Sequence, residues 1–118
     1  MSYKVIVCGD RHYTDRDAIF NALVNLPQPL IVIEGGADGA DMWARDVAQE
    51  LGVEWVTCPA NWEQYGKAAG PIRNRHMLTH QPDLVLAFHD DIEHSKGTAD
   101  MVRQAMAAGI ETRVVKHL

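Results

Sequence analysis

Residues 32–52, VIEGGADGADMWARDVAQELG, run from apolar residues through paired glycines and an acidic, alanine-rich turn into a stretch whose apolar residues fall at helical spacing. A short β-rich run, a glycine turn and an amphipathic helix closed by Gly52 make a strand-to-helix unit. Gly52 sits where a helix C-cap belongs. If the chain repeats this unit, the fold follows.

It does repeat. Working outward, YKVIVCG (3–9), LIVIEGG (30–36), VEWVTCP (53–59), DLVLAFH (83–89) and ETRVVK (111–116) read as strands. Between them DRDAIFNALVNL (15–26), ADMWARDVAQELG (40–52), GPIRNRHMLTHQ (70–81) and GTADMVRQAMAAG (97–109) carry helical periodicity. Near-continuous apolar strands alternating with helices imply a parallel sheet covered on both faces. The expected fold is therefore an α/β, Rossmann-like three-layer sandwich with a mostly parallel sheet of about five strands.

Composition agrees with one domain spanning 1–118, since 47% hydrophobic and 23% charged residues can close a single core. Pro27 and Pro29 punctuate a short connection, and the chain holds no repeat or Ser/Gly linker. Neither a membrane-length apolar run nor a signal-peptide pattern is present, so a cytoplasmic location is expected. Cys8 and Cys58 are too few for a disulfide framework and lack metal-ligand spacing. Net charge is −5 and the sequence pI is about 5.6, which opposes nucleic acid or an anionic membrane as a general partner.

In such sheets ligands bind beyond the carboxyl ends of the strands, where helix N-termini present backbone amides. The post-strand loops GDRHYTD (9–15), EGGADGAD (34–41), PANWEQYGKAAGPIRN (59–74) and HDDIEHSKGT (89–98) should then carry function. In the second, Gly35 and Gly36 permit close approach to the backbone and Gly39 a tight turn, so free amides from Gly36 through Ala37 to Asp41 are available to an anion. Asp41 is read either as part of that site or as a cap. The fourth loop repeats the design with Ser95, Lys96, Gly97 and Thr98 at a helix start. Two anion-ready helix starts suggest a phosphorylated ligand.

Arg11 and Arg73 offer planar forks that match phosphate, flanked by Gly9 and Asn74. Asn61 and Trp62 can supply an amide and an aromatic wall, although a tryptophan packed beneath the long third loop serves as well. Among carboxylates able to act as a general acid or base, Glu34 and Asp10 end strands at the expected crevice and are the catalytic candidates. Glu34 reads equally as a brace for its own loop, and Asp10 as a partner for Arg11. His76 and His80 stand four residues apart, but no third ligand is evident, so no metal is expected. Met101 and Met106 read as core. No cofactor is called for.

Taken in order, GDRHYTD, EGGADGAD, PANW, GPIRNRHM, AF and SKGT resemble the YspA-type branch of the SLOG superfamily across nearly the whole chain. The resemblance implies a Rossmann-like protein that binds nucleotides or nucleotide-derived molecules, with LOG phosphoribohydrolases and single-stranded-DNA-binding DprA proteins as relatives. RNRHM is similar to the LOG motif RKxxM, which places its arginine at Arg73 and its methionine at Met77. HSKGTADM matches PGGxGTxxE at Gly97 and Thr98, yet the position of the LOG catalytic glutamate is Met101, and Asp100 is rotated by about 100° along a helix. The resemblance thus favours a sensor or binding protein for a nucleotide or nucleotide-derived ligand, as a homodimer. A LOG-like hydrolase of the N-glycosidic bond and a DprA-like DNA-binding or assembly module are the alternatives.

Overall fold

The structure is a computed structural model and describes residues 1–116. Five strands, β1 (Tyr3–Gly9), β2 (Leu30–Glu34), β3 (Glu54–Thr57), β4 (Leu84–Phe88) and β5 (Glu111–Val115), form one sheet in the order β3-β2-β1-β4-β5. Every pairing is parallel, with Ile6 beside both Ile33 and Val85.

The period of two along β1 builds both halves of the core. Val5 and Val7 face a layer made by α1 (Arg16–Leu23) and α2 (Ala40–Leu51), where Ile19, Leu23, Ala44 and Val47 are buried. Ile6 and Cys8 face the opposite layer, where Met77 of α4 (Ala69–Leu78) and Met101 and Ala105 of α5 (Gly97–Ala107) are buried. β4 divides in the same way, with Leu84, Leu86 and Phe88 on one side and Val85 and Ala87 on the other. The buried stretches Val5–Cys8 of β1 and Leu84–Phe88 of β4 have to be apolar at every position because both faces are covered.

The edge strands differ, as only one of their sides has a neighbour. Trp55 in β3 and Val114 in β5 are exposed. β1 keeps its expected bounds while the other four strands are shorter than expected by one to three residues, and the long third loop contains an unforeseen short helix, α3 (Trp62–Tyr65), capped by the Asn61 side chain on the Gln64 N–H. Helix α4 ends at Leu78 rather than continuing to 81, and Gln81 takes a φ of 56° in the turn that follows. Met106 is 66% exposed on α5, against its reading as core. The helical period carries it to the outer face, five residues beyond buried Met101. Gly52 closes α2 in the left-handed conformation, as its position predicts.

Candidate functional site

Helices α1 and α2 cover one face of the sheet and α4 and α5 the other, so the chain leaves β1 and β4 in opposite directions. These strands are neighbours, with Gly9 in register with Phe88. Their diverging loops open a crevice at the topological switch point, where open α/β sheets hold ligands. A cavity of about 440 Å³ lies there.

Each expected loop reaches this cavity, the third only through its last two residues and not through PANW. Gly9, Asp10 and Arg11 arrive from β1, Ala37 and Asp41 from the loop after β2, and Arg73 and Asn74 from α4. Ser95, Lys96, Gly97 and Thr98 close the far side. A Cβ built on Gly97 would have no atom within 4 Å, so the α5 N-terminus presents bare backbone to open space. Met77 and His89 complete the wall, as do Cys8, to which the sequence assigned no chemistry, and His94. The alternation of β1 was the signal for Cys8: it shares a face with Ile6 and stands next to Gly9. Burial pushes its thiol pKa up, leaving an apolar lining group.

The glycine loop departs from expectation in that four of its amides, those of Gly35, Gly36, Ala37 and Ala40, serve the protein itself. Asp41 Oδ2 accepts from the N–H groups of Gly35, at 3.0 Å, and Ala37, at 3.3 Å. Glu34 Oε1 accepts from the Gly36 N–H at 2.7 Å, and the Ala40 N–H donates to the Asp10 carbonyl. The bare backbone likewise accommodates protein atoms: a Cβ on Gly35 would strike the Arg73 guanidinium, and one on Gly39 the carbonyl oxygens of Asp10 and Arg11. Gly39 also has a φ of 73°, unfavourable to any side chain. Gly35, Gly36 and Gly39 therefore shape the loop from outside the cavity wall.

Glu34 is fully buried and does not line the cavity. Its second oxygen accepts from the Thr57 hydroxyl, so the carboxylate ties the β2 loop to the end of β3. Asn61 is exposed and occupied as the α3 cap. Trp62 is 59% exposed rather than packed beneath its loop, and its ring edge stands over Gly70, one turn before Arg73. Ser95 Oγ accepts from the Thr98 N–H at 3.0 Å, an ordinary helix cap. Asp10 Oδ1 accepts from the His12 N–H at 2.8 Å, and no ion pair joins Asp10 to Arg11 among the described residues.

A polar chain then crosses the site. Asp100 Oδ2 accepts from Asn74 Nδ2, Asn74 Oδ1 accepts from Arg73 Nε at 3.1 Å, and Arg73 Nη1 donates to the Gly35 carbonyl at 2.8 Å. Asn74 Nδ2 donates to the Gly97 carbonyl as well, at 3.1 Å. Asn74, 2% exposed, thus fastens α4 to the start of α5 while orienting Arg73. The sequence carried no signal for the link to α5, since Gly97 and Asp100 lie more than twenty positions away. Burial pushes the Asp41 carboxyl up to about 7, opposed by the Ala37 N–H and by the positive charge of Arg73. Met101 is fully buried in the core, and Asp100 points to Asn74, Gln104 and Arg103.

A Rossmann-like sheet with a polar cleft at its switch point defines a class of α/β proteins. Within that class, the chain belongs to the YspA, cpYpsA-related SLOG family, whose sequence profile matches residues 3–65. It is 37% identical over 116 residues to the Gene 61 protein of Mycobacterium phage D29, covering 91% of each chain. Among solved structures it is similar to DNA processing protein A (DprA) from Streptococcus pneumoniae, with a TM-score of 0.78 and 18% identity. That match covers 98% of this chain but only 51% of DprA, so the chain spans about half the length of that protein. The protein TM1055 is also similar, with a TM-score of 0.67 and 19% identity over 93% of this chain and 72% of its own. At these identities the two structures speak for the fold alone. Among the described residues no helix is long and apolar enough to cross a membrane.

Proposed function

We propose that the protein binds a nucleotide or nucleotide-derived molecule in the cavity between the β1 and β4 loops. The observation that carries this reading is the convergence of Arg11, Arg73 and Lys96 with the open α5 start at Gly97 on one cleft. Guanidinium forks, an ammonium and helix-terminal amides are the groups that receive phosphate. The volume falls within the roughly 300–1,000 Å³ of small-molecule sites. The anion seat proposed here is the α5 side of the cleft, since the amides of Gly35, Gly36 and Ala37 are taken by Asp41 and Glu34.

Binding is favoured over hydrolysis because two of the three candidate acid positions are closed off, Asp10 alone lining the cavity. Glu34 is closed behind its loop, and the residue at the LOG glutamate position, Met101, is in the core. Protein purified without denaturation should release a phosphorylated nucleoside compound detectable by mass spectrometry, and calorimetric titration with nucleotides should show saturable binding without product. An empty protein that no nucleotide titrates would refute the reading. A homodimer is proposed with it, because Met106 and the adjoining Ala107 and Ala108 leave part of α5 exposed. Light scattering that gives a monomer across micromolar concentrations would remove that proposal and leave the cleft untouched.

A further inference from the structure

The cleft contains a carboxylate that a phosphate cannot explain. Asp10 follows the last residue of β1, and its backbone is held from three directions. Its N–H donates to the Phe88 carbonyl, and its carbonyl accepts from the Tyr13 and Ala40 N–H groups at 3.0 and 3.2 Å. The side chain is therefore set in place by β4, its own turn and the start of α2. Oδ1 accepts from the His12 N–H, whereas Oδ2 has no protein partner among the described residues. Asp10 is only partly buried, so water can fill that oxygen in the free protein, and a ligand that displaces the water has to bring a donor of its own.

Phosphate offers only oxygens and would be repelled there. Its seat is the cationic side, yet the strands beneath Asp10 and the β4 loop are adjacent, about 4.8 Å apart in a sheet. The part of a nucleotide that close to its phosphate is the sugar, whose neighbouring hydroxyls donate to carboxylate oxygens. The base is the poorer occupant, since no phenylalanine, tyrosine or tryptophan lines the cavity to stack it. We infer that Asp10 receives the ribose hydroxyls of the ligand and makes the cleft selective for ribonucleotides over 2′-deoxyribonucleotides. This rests on the nucleotide reading above and narrows it to one sugar.

The test is calorimetric titration of the intact protein with AMP, 2′-dAMP, 3′-dAMP, GMP and 2′-dGMP, in EDTA and again with Mg²⁺. Expected are ribonucleotides binding roughly tenfold to a hundredfold tighter than their 2′-deoxy counterparts, as loss of a hydrogen bond to a charged group implies. In Asp10→Asn, which keeps an acceptor for the His12 N–H, ribonucleotide affinity should fall to the deoxy level while deoxy affinity holds. Equal affinities in the parent overturn the inference without need of the variant. So do discrimination that survives Asp10→Asn, a preference for guanine with either sugar, or binding that requires Mg²⁺. If none of the nucleotides binds, the nucleotide reading itself falls and takes this one with it.

Discussion

Replacing Arg73 with alanine should weaken ligand binding and loosen the site by amounts that can be read separately. The guanidinium occupies the space a Cβ on Gly35 would need, donates to the Gly35 carbonyl at 2.8 Å and to Asn74 Oδ1 at 3.1 Å, and lines the cavity. In the unliganded protein the variant leaves two acceptors without their donor, and water entering from the cavity offsets part of that loss. A stability cost of about 1–2 kcal/mol follows, which for a domain of this size lowers Tm by roughly 3–8 °C. Binding loses in addition a charge-assisted contact of about 1.5–3 kcal/mol, a factor of roughly ten to a hundred or more in Kd. The Asp41 carboxyl, which the arginine charge now pulls down, should titrate higher still. Calorimetric titration with a nucleotide that the parent binds, beside thermal melts, measures both effects. Arg73→Lys should recover part of the affinity but little of the Tm, because an ammonium cannot span Gly35 and Asn74 as a fork does. A variant that melts lower yet binds like the parent would refute the reasoning and leave Arg73 as a strut for the glycine loop.

Three further outcomes follow from particular contacts. Gly39→Ala should lower Tm by at least about 10 °C, since its Cβ would collide with the Asp10 and Arg11 carbonyls at a backbone φ of 73°; a melt within two or three degrees of the parent would contradict that close approach. Asp41, raised from 3.8 to about 7, binds more protons folded than unfolded between those values, so its contribution to stability is full below about 4 and is lost as pH rises through about 7. The loss is on the order of 4 kcal/mol, and Asp41→Asn, which retains an acceptor for Gly35 and Ala37, should flatten this part of the curve in denaturant titrations across pH 4–8; an unchanged slope would show that Asp41 is not its source. Met101→Glu, which installs the LOG residue type, should unfold the protein rather than confer hydrolysis, because it buries a charge among Ile6, Val85 and Ala105; a folded variant that releases a base from a nucleoside monophosphate would refute this placement.

What the sequence determined by itself is what depends on short-range periodicity. Val5 to Cys8 and Leu84 to Phe88 announce themselves as central strands, since a strand covered on both faces needs apolar residues at every position. From alternation alone came the order of elements, and from the order the edge of the sheet where function should lie. The loops named at that edge do supply the cavity wall, Arg11, Arg73 and Lys96 among them.

What only the tertiary structure decided is which neighbour satisfies each polar group. The glycines of EGGADGAD read as space for a ligand, whereas the guanidinium beside Gly35 arrives from thirty-eight residues away and the carbonyls beside Gly39 from the β1 loop. Glu34 had two readings, and Thr57 and the Gly36 amide fill its oxygens. Asn74 gave no hint that it would join Arg73 to the α5 start. Hydrophobic periodicity is a local property that a chain writes along itself. Satisfaction of buried donors and acceptors is pairwise and non-local, and it takes a value only once distant segments have been brought to one place.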